Sequence, residues 1–170
     1  CMSEPSTQAS SSVAPPTTLS HFVGVNARFA RSVRLREDIK SPQRLTTYYF
    51  GRKSVQLFEG VLQSLKPEVR DRAWFVVGPY GSGKSTFGLF LARALSQPRG
   101  DPWLRPSLNR LKTLAPAVYN RFDREVWDLR RSFVPVIVQG HRGDFSQALL
   151  AGLLHAADGG TDVRPWADGK

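Results

Sequence analysis

Apolar residues recur along this chain in two rhythms. Ala73-Trp-Phe-Val-Val77 is a continuous apolar and β-branched run ending directly in Gly78, the pattern of a short buried strand. Phe133-Val-Pro-Val-Ile-Val-Gln139 is a second such run, and Pro135 places its start late or at a sheet edge because proline donates nothing to a ladder. Val33 and Leu35 alternate with Arg34 and Arg36, the period of a half-buried strand with an arginine edge. Elsewhere the step is three and four residues. Val55, Phe58, Leu62 and Leu65, flanked by Leu57 and Val61, predict an amphipathic helix ended by Lys66-Pro67. Phe87, Phe90, Leu91, Ala94 and Leu95 predict another, stopped by Pro98 and Gly100.

The stretch 101–132 repeats the helical step through Leu104, Leu108, Leu111 and Leu114, then through Val118, Tyr119, Phe122, Val126 and Leu129. Two helices joined near Ala115-Pro116 account for the break. Arg110, Lys112, Arg121, Arg124, Arg130 and Arg131, mixed with Asp123, Glu125 and Asp128, read as their solvated faces. Asp144 with Gln147 forms a capping box for a last helix carrying Phe145, Leu149, Leu150, Leu153 and Leu154. Between them Gly140-His-Arg-Gly143 turns the chain; His141 and Arg142 sit in a strand-to-helix loop where a sheet enzyme could use them, but read more simply as surface loop residues. Residues 1–20 are Ser, Thr, Pro and Ala without apolar periodicity and predict a disordered tail. Order is expected over 21–157, with 158–170 a frayed or truncated end.

One stretch adds chemistry to this pattern. Gly78-Pro-Tyr-Gly-Ser-Gly-Lys-Ser-Thr86 satisfies the phosphate-binding loop G-x-x-x-x-G-K-S/T between an apolar run and a helix. Consecutive backbone N–H groups hold a polyphosphate only where side chains leave room, which is the use of Gly78, Gly81 and Gly83. Lys84, the candidate catalytic residue, is placed to reach the β- and γ-phosphates, and the Ser85 hydroxyl to ligate Mg²⁺. Pro79, Tyr80, Ser82 and Thr86 complete the candidate nucleotide-binding set, with ATP and Mg²⁺ as the ligands. Tyr48, Tyr49 and Phe50, just before the first long helix, are placed either to stack on a purine or to pack the core.

Strands alternating with helices around such a loop predict an α/β fold. The expectation is a partial P-loop NTPase, a three-layer α/β/α arrangement on a parallel sheet, preceded by the tail and a short basic element. Neither apolar run ends in the acidic residue that shares the Mg²⁺ in such enzymes. Two strands are also few for a sheet. Together these point to the N-terminal piece of a larger ATPase.

Ala30-Arg-Ser-Val-Arg-Leu-Arg-Glu-Asp38, Ala73-Trp74, the loop Gly78–Ser85 and Val134-Pro-Val-Ile-Val-Gln-Gly140 resemble the N-terminal region of large bacterial P-loop ATPases of AAA+ or STAND-like architecture, often associated with anti-phage defence. Phe50-Gly51-Arg52 resembles the box preceding the P-loop in those proteins. The resemblance implies ATP hydrolysis driving a motor or switch, in a homo-oligomer or a multi-protein complex. Two other readings stay open: a small P-loop kinase acting on a small molecule, and a basic nucleic-acid-binding module with a non-hydrolysing loop.

Charge bears on the last of these. A net charge of +10 favours polyanionic partners such as DNA. Arg31, Arg34 and Arg36 form either a phosphate-contacting strip or a solvated face balanced by Glu37 and Asp38. The only cysteine, Cys1, excludes an internal disulfide framework. No basic-then-apolar leader opens the chain, and no apolar run approaches the roughly 18 residues of a membrane span. The expected setting is the cytoplasm, away from any membrane.

Overall fold

In the computed structural model, which describes residues 32–131, 133–138 and 144–158, every regular element is helical. The helices are α1 (Leu35–Asp38), α2 (Arg52–Ser64), α3 (Lys84–Ser96), α4 (Arg105–Leu114), α5 (Pro116–Phe122) and α6 (Phe145–Ala157). A 3₁₀ turn over Gln43–Thr47 precedes α2, and a π-helical stretch over Asp123–Asp128 continues α5. All of these belong to the unit Val33–Lys170. The tail over 1–20, the turn with His141 and Arg142, Arg31, and the segment after Asp158 lie outside the described residues.

The stripes predicted for α2 to α5 and the π-helical stretch form the core, apart from Leu114 and Leu129, which are exposed; the stripe predicted for α6 stays outside it. Phe50, Phe58, Phe90, Phe122 and Trp127 pack in a continuous aromatic series, with centroids 4.9 Å apart for Phe50 and Phe90, 5.3 Å for Phe58 and Phe90, 5.5 Å for Phe58 and Phe122, and 4.6 Å for Phe122 and Trp127. Leu45, Leu62, Leu89, Leu104 and Leu111 fill the space around them and are fully buried. Each such side chain contributes about 1.5–3 kcal/mol by leaving water. One series therefore joins α2, α3, α5 and the π-helical stretch.

Polar ties close this core. Ser107 Oγ, on α4, donates to Leu45 O of the 3₁₀ turn, and Arg110 Nη1 donates to Thr46 O at 2.8 Å and Tyr48 O at 3.1 Å. Arg99 Nη2 lies 2.8 Å from both Asp123 and Asp128, clamping the two ends of the π-helical stretch. Arg121 of α5 pairs with Glu59 of α2 at 3.2 Å. Arg110 and Arg121 are thus structural anchors as well as parts of a polar face.

The α/β architecture predicted from the sequence is overturned: among the described residues there is no strand, and so no parallel sheet or three-layer arrangement. A strand exists only through the hydrogen bonds it exchanges with a neighbour, and no ladder pairs the two apolar runs. Residues 71–79 lack regular structure and are exposed throughout, Phe75 by 93% and Val77 by 79%. Trp74 anchors this run to α2: its Nε1 donates to Ser64 Oγ at 3.1 Å, and the indole lies against Gly60. Residues 133–138 are fixed at separate points, Phe133 N donating to Leu95 O at 3.2 Å and Arg36 Nε to Ile137 O at 3.3 Å.

The alternating Val33–Arg36 segment is also not a strand. Arg34 caps the helical turn α1, its carbonyl accepting from Glu37 N and Asp38 N, while Asp38 Oδ2 accepts from Arg34 N at 2.9 Å. Arg34 pairs with Glu37 at 3.2 Å. Local acidic partners win over the alternation, because Glu37 and Asp38 stabilise a helical turn that period-two patterning does not register.

Candidate functional site

The loop owes its path to two glycines. Gly81 and Gly83 lie at φ 79° and 83°, where other residues are strained, and Gly83 is the cap from which α3 starts. The chain folds back between them, Ser82 N donating to Pro79 O at 3.3 Å. Lys84, the first residue of α3, returns over the loop: its Nζ donates to Gly78 O and to Pro79 O at 2.7 Å each and lies 3.3 Å from Ser82 Oγ. The ammonium is thus held against the loop's own carbonyls, at the end of a helix whose dipole is positive.

A cleft of about 600 Å³ opens beside this loop. Gly78, Pro79, Gly81, Ser82, Gly83 and Lys84 form one wall, with Phe75 to Val77 leading into it. Tyr48, Tyr49, Gly51, Lys53, Ser54 and Leu57 form the other, and Phe87 joins them from α3. The N-terminal ends of α2 and α3 therefore border one cavity, together with the cations Lys53 and Lys84. Both helix ends and both cations favour an anion there.

The predicted site residues separate accordingly. Six of the nine loop residues line the cleft; Ser85 and Thr86 occupy the first turn of α3 outside the lining, with Ser85 exposed. Tyr80 is 93% exposed at the loop's apex. Of the three aromatics ahead of α2, Phe50 is buried and Tyr48 is half-buried, its ring 5.0 Å from Phe50 and 5.8 Å from Phe90. Burial pushes the Tyr48 hydroxyl above its ordinary value, partly offset by a hydrogen bond with Ser54. Only Tyr49 of the three is exposed, at 71%.

Sequence reasoning missed Lys53 and Ser54 on the far wall, and it took Arg110 for a solvated residue. The signal for Lys53 was its place in the first turn of a helix preceding the loop. For Arg110 it was the three-residue step from Ser107, which puts both polar groups on one side of α4 against the 3₁₀ turn.

Among the described residues no group of three or more His, Cys, Asp or Glu is arranged to hold a metal, and no helix is long and apolar enough to cross a membrane. No family model matches the chain, and no curated protein or solved structure matches it.

Proposed function

We propose that the cleft beside Gly78–Lys84 binds the polyphosphate of ATP, with Mg²⁺. Carrying the reading is the wall in which Gly83, at positive φ, starts α3 and brings Lys84 Nζ back over the loop carbonyls. An anion entering the cleft offers Lys84 acceptors of full charge in exchange for two neutral carbonyls, and charged acceptors make the stronger bonds. Open space where a Cβ would stand at Gly81 and Gly83 leaves room for phosphate against the main chain.

Mg²⁺ fits a site of this kind, because it is held largely by phosphate oxygens and water and needs few protein ligands. The exposed Ser85 hydroxyl, one residue beyond Lys84, is the group that would join them. Bound Mg²⁺ neutralises charge on the phosphates. The described lining of the cleft contains no Asp or Glu, so turnover would need a carboxylate from elsewhere. The function proposed for these residues is nucleotide binding within a cytoplasmic ATPase working as a motor or switch. DNA contact by the chain is a weaker part of the proposal: Arg34 and Arg36 already have Glu37 and Ile137 O as partners.

Calorimetric titration with MgATP tests the reading. Replacing Lys84 by Ala removes a charged hydrogen-bonding group worth about 1.5–3 kcal/mol, so affinity should fall roughly 10- to 150-fold. An unaltered affinity would remove Lys84 from the site and the proposal with it.

A further inference from the structure

We propose that Tyr49, braced by Arg110, is the platform on which the nucleotide base stacks, and that it makes the cleft prefer purine over pyrimidine nucleotides. This rests on the reading of Gly78–Lys84 as the polyphosphate site and adds the ligand's other end.

Three observations converge. Tyr49 lines the same cleft as the loop yet is 71% exposed, while its neighbours Tyr48 and Phe50 turn into the core. The guanidinium carbon of Arg110 lies 4.2 Å from the centroid of the Tyr49 ring, over one face of a side chain that is still 71% exposed. Arg110 is itself immobilised by the carbonyls of Thr46 and Tyr48, the two residues nearest Tyr49 on its N-terminal side that accept from it. An exposed aromatic side chain ordinarily turns among rotamers. Here a cation–π contact from a guanidinium that is itself hydrogen-bonded biases the ring towards one orientation, so less ordering remains to be done when a flat ligand arrives.

A ring presented in this way recognises a π-face and not a hydrogen-bonding edge. Stacking strengthens with the overlap available, so a two-ring base gains more from it than a one-ring base. Lys53 and Lys84 serve the anionic end of the same ligand. Arg110 is then a positioning residue, acting on the base through Tyr49.

The test titrates the full chain with MgATP, MgGTP, MgCTP, MgUTP and inorganic tripolyphosphate, in wild type and in Tyr49→Ala, Tyr49→Phe, Arg110→Ala and Lys84→Ala. The proposal expects Tyr49→Ala to weaken ATP and GTP roughly 5- to 150-fold and to leave tripolyphosphate within about twofold. Tyr49→Phe should recover purine affinity, and Arg110→Ala should lower it by a smaller factor without touching tripolyphosphate. In wild type both purine nucleotides should bind more tightly than both pyrimidine nucleotides. Equal binding of all four, or ATP affinity indifferent to Tyr49→Ala, overturns the platform while leaving the phosphate site standing. Tripolyphosphate affinity indifferent to Lys84→Ala overturns the phosphate site instead. If Tyr49→Ala weakens single-stranded oligonucleotides and not free nucleotides, the ring serves nucleic acid and the proposal is wrong.

Discussion

Arg93 and Asp101 meet at 2.7 Å in the interior, their side chains 6% and 4% exposed. Arg93 Nη1 also donates to Ile39 O at 3.1 Å, and Asp101 Oδ1 accepts from the backbone N–H groups of Trp103 and Leu104 at 2.8 and 3.0 Å. The pair therefore ties α3 to the start of α4 and to the chain just after α1. Removing one partner leaves the other charge buried, which costs about 3–5 kcal/mol. Arg93→Ala and Asp101→Ala should each lower the urea midpoint by that equivalent, and the double variant should lose less than the two losses summed. Additive losses would mean that the two groups are not coupled.

Gly83 separates backbone strain from crowding. A Cβ there would meet nothing within 4 Å, yet φ is 83°. Gly83→Ala should therefore cost about 1–2 kcal/mol through the left-handed backbone alone, measured as a lower denaturant midpoint at unchanged slope. Stability equal to wild type would show that the loop does not need this conformation.

Gly60 presents the opposite case. A Cβ on this helical glycine would collide with the Trp74 indole, which is hydrogen-bonded to Ser64. In a Trp74→Ala background, Gly60→Ala should stabilise by about 0.5–1 kcal/mol, the ordinary gain of alanine in a helix. With Trp74 present that gain should vanish and the indole emission should shift to that of a wetter ring. An equal gain in both backgrounds would place Trp74 away from α2.

Tyr48 supplies a dependence on pH. Its folded hydroxyl titrates above the ordinary tyrosine value of 10.0, chiefly because burial disfavours the phenolate. The native state keeps a proton that the unfolded chain releases, so this contribution is present in full below about pH 10 and is lost as pH rises through the folded value. Stability should fall more steeply above about pH 10 in wild type than in Tyr48→Phe. Parallel curves for the two proteins would assign the loss to other groups.

How far the sequence revealed these features depends on how local their causes are. Gly83 and Lys84 begin α3, Pro116 begins α5 after the break at Ala115, and Asp144 caps α6, accepting from Ser146 N at 2.7 Å and not through the box expected with Gln147. Each of these is decided within a few residues and was legible. The expected strands at 73–77 and 133–139 were not, because an apolar run records a tendency to leave water and not the partner that receives it. The same limit hid the Arg110–Tyr49 contact, which joins residues far apart in sequence. Among Tyr48, Tyr49 and Phe50, the sequence favoured core packing over stacking without saying which ring would do either; the packing against Phe90 separates them.

Phe145, Leu150 and Leu154 of α6 are each more than half exposed, and Leu149 and Leu153 at least 38%. Greasy surface of that extent draws molecules together, whereas a charge of +10 keeps them apart over distances that shrink as electrolyte is added. Colloidal behaviour should consequently invert the usual laboratory habit: dilute buffers keep this protein dispersed, and a salt wash drives it towards clumping.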